Sequence, residues 1–166
     1  MRRQGRDPYN WSSDPPAGSG RAMLRIVKAP KEGTIDLVVL SPHIVGIWTH
    51  WVGDRTIGCT NGFGCKCEVT ELPTRWKGYL ACAQVTDGKV VLAELTGDAT
   101  RNLMLQDNLL SGPPLRGLVL RLGRVRGSRV GRVVAGIVTG KRFDDAALPK
   151  PPDVQQELQR IWCSRR

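Results

Sequence analysis

Between Met23 and Phe143 the pattern of apolar and polar positions is mostly that of β-strands. The stretch TIDLVVLSPHIVGIWTHWV is rich in β-branched and aromatic residues, and Pro42 and Gly46 interrupt it. It therefore predicts one long bent strand or two short ones. The stretches RWKGYLACAQV and KVVLAEL flank Asp87-Gly88, a dipeptide typical of tight turns, so they predict a hairpin.

One helix is predicted inside this β-rich region, over GDATRNLMLQDNLL. Asp98 or Thr100 could cap its first turn, because both side chains accept backbone hydrogen bonds. The side chains that it would turn inward are Ala99, Leu103 and Leu110. The stretches LRGLVLRLGRVRG and RVGRVVAGIVTG then predict a second hairpin around Gly127-Ser128.

The predicted order is strand, strand, strand, helix, strand, strand. This is the order of the OB-fold, a mainly β architecture in which a five-stranded barrel carries one helix between strands 3 and 4. An SH3-like barrel or a small α+β sheet is also compatible with five strands and one helix. We expect the OB-fold.

The chain divides into a central domain and two flanking segments. Residues 1–21 are polar and rich in Pro, Gly and Ser, which predicts a flexible N-terminal arm before a domain at 22–143. Residues 144–166 begin with a proline-rich linker, after which Asp153 could cap a short helix. The face of that helix would carry Leu158 and either Ile161 or Trp162.

The charge of the chain restricts its partners. The formal net charge is +10 and the pI is about 10.0, which favours nucleic acid or an anionic membrane surface. No apolar run approaches the roughly 18 residues of a membrane span, and no apolar signal segment follows the N-terminus. An odd number of cysteines, five, argues against a secreted disulfide framework. We therefore expect a cytoplasmic protein that binds a polyanion and not a membrane.

Three of the five cysteines lie in the stretch GCTNGFGCKC. With the preceding histidine they form the set His50, Cys59, Cys65 and Cys67. Three thiolates and one imidazole complete the tetrahedral coordination of a structural zinc ion. The glycines around them allow the positive φ angles of a tight metal-binding loop between strands 1 and 2. An unliganded loop, or an iron or redox role, remains an alternative.

The fourth zinc ligand is the open point of this set. His50 is the nearest candidate, and His43 and Cys82 are possible substitutes. Cys82 lies in an apolar strand, where a small buried core residue is the simpler interpretation. The chain lacks HExxH and deaminase-type motifs, so we expect a closed structural site and no enzymatic activity.

Basic residues are concentrated towards the end of the predicted domain, since no acidic residue occurs between Leu109 and Phe143. Arginine binds phosphate with two parallel hydrogen bonds and stacks on bases, and exposed aromatic side chains add stacking platforms. Among the aromatic residues we expect Trp48 and Trp76 in the core. The predicted nucleic-acid-binding residues are Trp51, Phe63, Lys66, Arg75, Lys77, Tyr79, Arg121, Arg124, Arg126, Arg129 and Arg132.

In its ligand order, one histidine followed by three cysteines, the chain resembles the zinc-containing OB-fold single-stranded DNA-binding proteins of T4-type phages. The resemblance covers Trp48 to Cys67 and the general barrel order, and the spacings between ligands are shorter in this chain. It implies that a zinc subdomain supports a groove for single-stranded DNA. Proteins of this kind usually end in an acidic tail that recruits partners, whereas this chain ends in QRIWCSRR.

The sequence therefore predicts single-stranded DNA binding with little sequence preference, as in DNA replication or repair. Self-association or contacts with replication proteins would be compatible with that activity. Two alternatives stay open at this point. One is an RNA-binding or ribosome-associated OB protein, and the other is a scaffolding subunit whose basic face binds an acidic protein.

Overall fold

The computed structural model describes residues 22–53, 55–59, 73–106, 114–125 and 131–163. This part of the chain contains eight β-strands, two α-helices and one 3-10 turn. The strands are β1 (Arg25–Val27), β2 (Thr34–Val39), β3 (Val45–Val52), β4 (Arg55–Gly58), β5 (Thr74–Gln84), β6 (Val90–Thr96), β7 (Leu118–Arg124) and β8 (Val133–Arg142). The helices are α1 (Gly97–Gln106) and α2 (Val154–Cys163), and the 3-10 turn covers Asp145–Ala147.

All eight strands belong to one mixed sheet, whose main order is β1-β6-β5-β2-β7-β8. The pairing of β1 with β6 is parallel, and the other ladders are antiparallel. β5 is the longest strand. It pairs with β6 along one edge, and along the other edge its first half pairs with β3 and its end pairs with β2. The mainly β prediction is confirmed. Within the described residues β8 forms no ladder with β6, so the sheet is open and the predicted barrel closure is not seen.

The first long apolar stretch forms two strands, β2 and β3, rather than one. Pro42 lies between them and has no N–H to donate to a ladder. Just before it, the backbone N–H groups of Leu40 and Ser41 both donate to the carbonyl of Ala81. The Ser41 hydroxyl in turn accepts a hydrogen bond from the N–H of Ala81 at 2.8 Å. These contacts hold the bend against β5.

Two short strands were not predicted, β1 and β4. β4 follows a turn at Gly53, which has a φ of 65°, and folds back on the end of β3. The cysteine-rich stretch therefore begins at the end of a small β3–β4 hairpin, whereas the sequence predicted that it directly follows the first predicted strand. Strands of three and four residues have too few positions to show a period of two.

The sheet buries a hydrophobic cluster on each face. Side chains alternate along β5, so Leu80 and Cys82 belong to one cluster and Tyr79 and Ala81 to the other. The first cluster includes Ala99 and Leu103 of α1. The second includes Val154 and Leu158 of α2, so the predicted C-terminal tail segment contributes a packed helix.

Helix α1 lies where it was predicted, but its cap is different. The hydroxyl of Thr96 accepts a hydrogen bond from the N–H of Ala99 at 3.2 Å, so Thr96 is the N-cap. The prediction of Asp98 or Thr100 is wrong, because both lie inside the first turn. Ala99 and Leu103 are buried as expected, and the predicted inward residue Leu110 lies outside the described residues.

Helix α2 begins as the sequence predicts. The carboxylate of Asp153 accepts a hydrogen bond from the N–H of Gln156 at 3.0 Å, which confirms Asp153 as the N-cap. Near the other end of α2, the Trp162 ring meets the Tyr79 ring edge to face, with centroids 6.2 Å apart. No helix in the described ranges is long and apolar enough to cross a bilayer.

The guanidinium of Arg116 ties the connection before α2 to the sheet. It donates to the carbonyls of Leu40 and Pro149, both at 3.0 Å, and to that of Leu148 at 3.2 Å. It also forms an ion pair with Asp145. The guanidinium thus joins the carbonyl that follows β2 to two carbonyls of the connection. These bonds help to position the start of α2.

Candidate nucleic-acid interface and metal centre

A cleft of about 480 Å³ opens where β5 and β6 approach the ends of β7 and β8. Trp76 forms part of its wall. Its charged lining consists of four basic and two acidic residues: Lys28, Arg75, Lys77, Arg124, Glu94 and Asp98. Three of the predicted nucleic-acid-binding residues, Arg75, Lys77 and Arg124, therefore come together in one place.

Arg75 and Lys28 supply the most accessible positive charge of the cleft. Arg75 lies near the start of β5, is exposed, and takes part in none of the ion pairs seen within the described residues. The side chain of Lys28 is 54% exposed and its Nζ lies 4.0 Å from Glu94. Both side chains are exposed, so an anion in the cleft can approach them directly.

Lys77 is held by a buried acid. Its Nζ donates to Glu94 at 2.6 Å, and the hydroxyl of Tyr79 donates to the other carboxylate oxygen at 3.1 Å. Lys77 is 18% exposed and Glu94 9%. Burial, reinforced by the charge of Glu94, raises the pKa of Tyr79 far above its ordinary value. Lys77 therefore lines the cleft as part of a neutral pair rather than as a separate cation.

The prediction that Tyr79 is exposed for base stacking is wrong. Its side chain is fully buried, beneath helix α2 and against Trp162. Its exposure was predicted from the nearby basic residues, whereas the helix that covers it begins some 75 residues later in the chain. Only the tertiary structure brings that cover into place.

Arg124 lines the cleft with its guanidinium directed at backbone carbonyls. Its Nε donates to the carbonyl of Ala29 at 3.1 Å and one terminal nitrogen donates to that of Gly131 at 2.8 Å. These partners are uncharged, so the positive charge of Arg124 is not neutralised. The side chain both joins β1 to the β7–β8 hairpin and contributes to the potential of the cleft.

Arg121 does not line the cleft. It makes two hydrogen bonds to the carboxylate of Asp36, at 2.7 and 2.8 Å, across the β2–β7 ladder. These bonds hold the pKa of Asp36 below its usual value. Arg132 is exposed at the start of the last hairpin strand. The predicted residues Phe63, Lys66, Arg126 and Arg129 lie outside the described residues.

The exposed aromatic residues differ in part from those predicted. Trp51 is 57% exposed, as expected, but Trp48, predicted in the core, is 56% exposed. Trp48 lies directly opposite the half-buried Trp76 in the β3–β5 ladder. The ring of Trp76 lies over Gly46, which pairs with Gly78. Because neither glycine has a side chain, the Trp76 ring can pack closely against the backbone of the sheet.

Two of the four predicted metal ligands lie in the described chain, on the β3–β4 hairpin. His50 is 1% exposed and pairs with Ile57. Cys59 is half-buried, and its N–H donates to the carbonyl of Trp48 at 2.8 Å. His50 and Cys59 are therefore diagonal neighbours across the hairpin, a relation that places Cα atoms roughly 7–8 Å apart.

The surroundings of His50 fit a zinc ligand. Its Nδ1 lies 3.3 Å from the carbonyl oxygen of Pro73. In the tautomer protonated at Nδ1, this nitrogen donates to Pro73, and Nε2 is the nitrogen that would bind a metal. Metal-binding histidines are commonly oriented in this way. Cys65 and Cys67 lie outside the described residues, and within the described ranges no three His, Cys, Asp or Glu side chains form a metal-binding group.

The structure also separates the candidates for the fourth ligand. His43 precedes Trp48, the residue opposite Cys59, by five positions, which corresponds to roughly 16 Å along a strand. Cys82 lies eight positions beyond Thr74, the partner of His50 on β5, or roughly 26 Å. Burial raises the pKa of the Cys82 thiol, which disfavours the thiolate. Of the three candidates, His50 alone lies beside Cys59.

Comparison of the chain with protein-family models, with curated proteins and with solved structures finds no match.

Proposed function

We propose that this protein binds single-stranded DNA with little sequence preference, and that its sheet is a partly open OB-fold. The strand pairings support the fold: β2 with β3 corresponds to the first strand, and β5, β6, β7 and β8 to the second to fifth. Helix α1 lies between the third and fourth. OB-folds bind oligonucleotides on the face of strands 2 and 3 and on the loops between strands 1 and 2 and between strands 4 and 5.

The cationic cleft is the observation that carries the proposal. It lies on β5 and β6 and reaches the ends of β7 and β8, which is the position expected for an OB-fold ligand. Phosphates would meet Arg75, Lys28 and Arg124, since Lys77 is already bound to Glu94. A strand bound in this way would release counterions. The logarithm of the binding constant should therefore fall with the logarithm of the salt concentration, with a slope of about −0.7 for each neutralised phosphate.

Stacking would supply the affinity that phosphate contacts alone do not. Trp48 is exposed and lies opposite Trp76, which lines the cleft. A base stacked on an aromatic side chain contributes roughly 1–3 kcal/mol whatever its identity, because every base has a π face. This tolerance accounts for binding with little sequence preference.

A structural zinc ion fits this arrangement. His50 and Cys59, together with Cys65 and Cys67, would hold it and fix the end of the β3–β4 hairpin. When bound, such an ion supplies conformational restraint and no chemistry on the ligand. The hairpin carries Trp48 and Trp51, so an ordered hairpin keeps the stacking residues in place.

The test is fluorescence anisotropy with a labelled dT 12-mer and two matched pairs of variants. Arg75→Ala is paired with Lys89→Ala, and Trp48→Ala with Phe143→Ala, because Lys89 and Phe143 are also exposed but neither line the cleft nor pair with a residue that does. We expect Trp48→Ala to weaken binding roughly 5- to 150-fold. We also expect a clear loss for Arg75→Ala and changes below about twofold for both controls.

Absence of binding by the wild-type protein at low salt, or equal losses for the control variants, would overturn the proposal. Competition with a matched RNA oligonucleotide then assigns the preferred polymer. A salt-sensitive complex with an acidic protein, combined with no binding of either oligonucleotide, would point instead to a scaffolding role.

A further inference from the structure

A second cavity, of about 190 Å³, adjoins the cationic cleft. It lies between helix α1 and the β7–β8 hairpin, and the two cavities share Val133. Its apolar wall includes Val125 and Val134, and its polar groups belong to Asn102 and Arg132. Of the residues that line it, only Arg132 was predicted to bind nucleic acid.

The apolar wall is accessible to a ligand. Val125 is 49% exposed and Val134 is 47% exposed, so both present apolar surface that the core does not use. The N–H of Val125 donates to the carbonyl of Arg132 at 2.9 Å, and this bond closes the hairpin ladder at the rim of the cavity. The wall is therefore held in place by backbone pairing.

Asn102 provides hydrogen-bonding groups for a ligand. It is half-buried on α1, and its side-chain amide makes no hydrogen bond to any other described residue. An amide offers two donors and one acceptor oxygen in a plane. This donor–acceptor pattern matches the edge of adenine at N6 and N7, which asparagine recognises with two hydrogen bonds.

The cleft and the second cavity follow one another along the same two elements. Gly97 and Arg124 line the cleft, and Asn102 and Val125 line the cavity. Five residues along α1 correspond to about 7.5 Å. That is about twice the 3.4 Å rise of one nucleotide in a stacked strand. A strand whose phosphates lie in the cleft can therefore reach the cavity with a neighbouring base.

We propose that the second cavity is a subsite for one unstacked nucleobase, and that Asn102 makes it favour adenine. The proposal rests on the proposed function, because the base belongs to the strand bound in the cleft. The cavity is smaller than the roughly 300–1,000 Å³ typical of small-molecule sites, which suits one planar ring system. Val125, Val133 and Val134 would cover its faces, and Asn102 would bind its edge.

The test compares d(TTA)4 with d(TTC)4 and with dT12, all of equal length, by anisotropy. We expect the wild-type protein to bind d(TTA)4 more tightly than d(TTC)4, by roughly 5-fold or more. Asn102→Ala should abolish that difference and leave the affinity for dT12 within about twofold. Arg101→Ala is the matched control, since Arg101 is an exposed neighbour on α1 that lines neither cavity, and it should keep the preference.

Equal binding of d(TTA)4 and d(TTC)4 by the wild-type protein would overturn the subsite while leaving the proposed function intact. An equal loss on all three oligonucleotides with Asn102→Ala would overturn it as well, provided that thermal unfolding shows the variant to be folded. Failure of the wild-type protein to bind any of the three would instead reject the proposed function, and the subsite with it.

Discussion

Tyr79 joins three parts of the molecule through one side chain. Its ring packs edge to face against Trp162 of α2, and its hydroxyl donates to Glu94, which also accepts from Lys77 at the cleft. A buried carboxylate is stable only when hydrogen bonds and opposite charges satisfy its oxygens, because desolvation penalises the charge. The hydroxyl of Tyr79 supplies one of these hydrogen bonds.

We expect Tyr79→Phe to lower the free energy of unfolding by roughly 1.5–3 kcal/mol, the usual range for a hydrogen bond to a charged group. The variant keeps the ring contact with Trp162 and removes only the hydroxyl. Tyr79→Leu also removes the aromatic contact, so it should cost more. Urea denaturation at neutral pH measures both, and a Tyr79→Phe protein as stable as wild type would contradict this role of the hydroxyl.

At the same scale, single residues explain which predictions of exposure were right. Arg75 and Trp51 are exposed as their sequence neighbours suggest, because each lies near the end of a strand. Tyr79 and Trp48 were misjudged in opposite directions. The exposure of a strand residue depends on what covers that face of the sheet, and the covering residues of Tyr79 are distant in the sequence.

Among the elements, α2 shows how a local signal and a tertiary contact combine. Asp153, followed by an amphipathic run, predicts the helix and its first residue correctly. Its packing could not be predicted, since an amphipathic helix does not specify which apolar surface it will meet. In the fold its Trp162 also contacts Gly58, where a Cβ atom would lie 2.6 Å from the ring. The helix thus reaches the strand that precedes Cys59.

We expect Asp153→Ala to destabilise the protein by about 0.5–2 kcal/mol, because it removes the cap of α2. Asp153→Asn is the matched control, since asparagine caps helices about as well as aspartate and lacks the charge. Equilibrium unfolding monitored by circular dichroism distinguishes the two. Equal stability of the Ala and Asn variants would show that the hydrogen bond from Gln156 contributes nothing.

The strands illustrate a different limit of sequence analysis. The long strands β5, β6, β7 and β8 follow from apolar runs separated by turn residues, and each was predicted. The pairing of β1 with β6 was not, because a three-residue parallel strand leaves no pattern. In the described chain β1 pairs with one edge of β6, and β6 forms no ladder with β8.

At the scale of the whole molecule, the net charge of +10 follows from composition. The fold decides which of the basic residues are accessible to a ligand. Arg116, Arg121 and Lys77 are engaged by carboxylates. Arg75 and Arg124 have no carboxylate partner among the described residues, and the exposed Lys28 lies 4.0 Å from Glu94; all three line one cleft. Under the proposed function, substitutions at these three residues should weaken binding more than substitutions at the carboxylate-paired Arg116 and Arg121.

We expect the purified protein to contain one zinc ion per chain, and its removal with a chelator to weaken binding of dT12. The ion would order the hairpin that carries Trp48, so its loss should also lower the melting temperature. Metal analysis, thermal unfolding and anisotropy on the same sample measure the three effects. Unchanged affinity after complete removal of the metal would contradict the supporting role.

Two histidine variants provide the matched comparison for the metal. His50→Ala should lose the zinc, because His50 lies diagonally opposite Cys59. His43→Ala should retain it, because His43 is exposed and lies before the start of β3, at the end of the strand away from Cys59. Loss of the metal from the His43 variant alone would identify His43 as the ligand and reject this geometry.

The sequence by itself determined the mainly β class, the positions of most strands and both helices, and the excess of basic residues. These properties depend on local patterns of side chains, which short stretches of chain already contain. The tertiary structure alone decided which basic residues are paired, which aromatic side chains are exposed, and that His50 rather than His43 or Cys82 lies beside Cys59. Each of these depends on contacts between residues far apart in the sequence, and no local pattern records them.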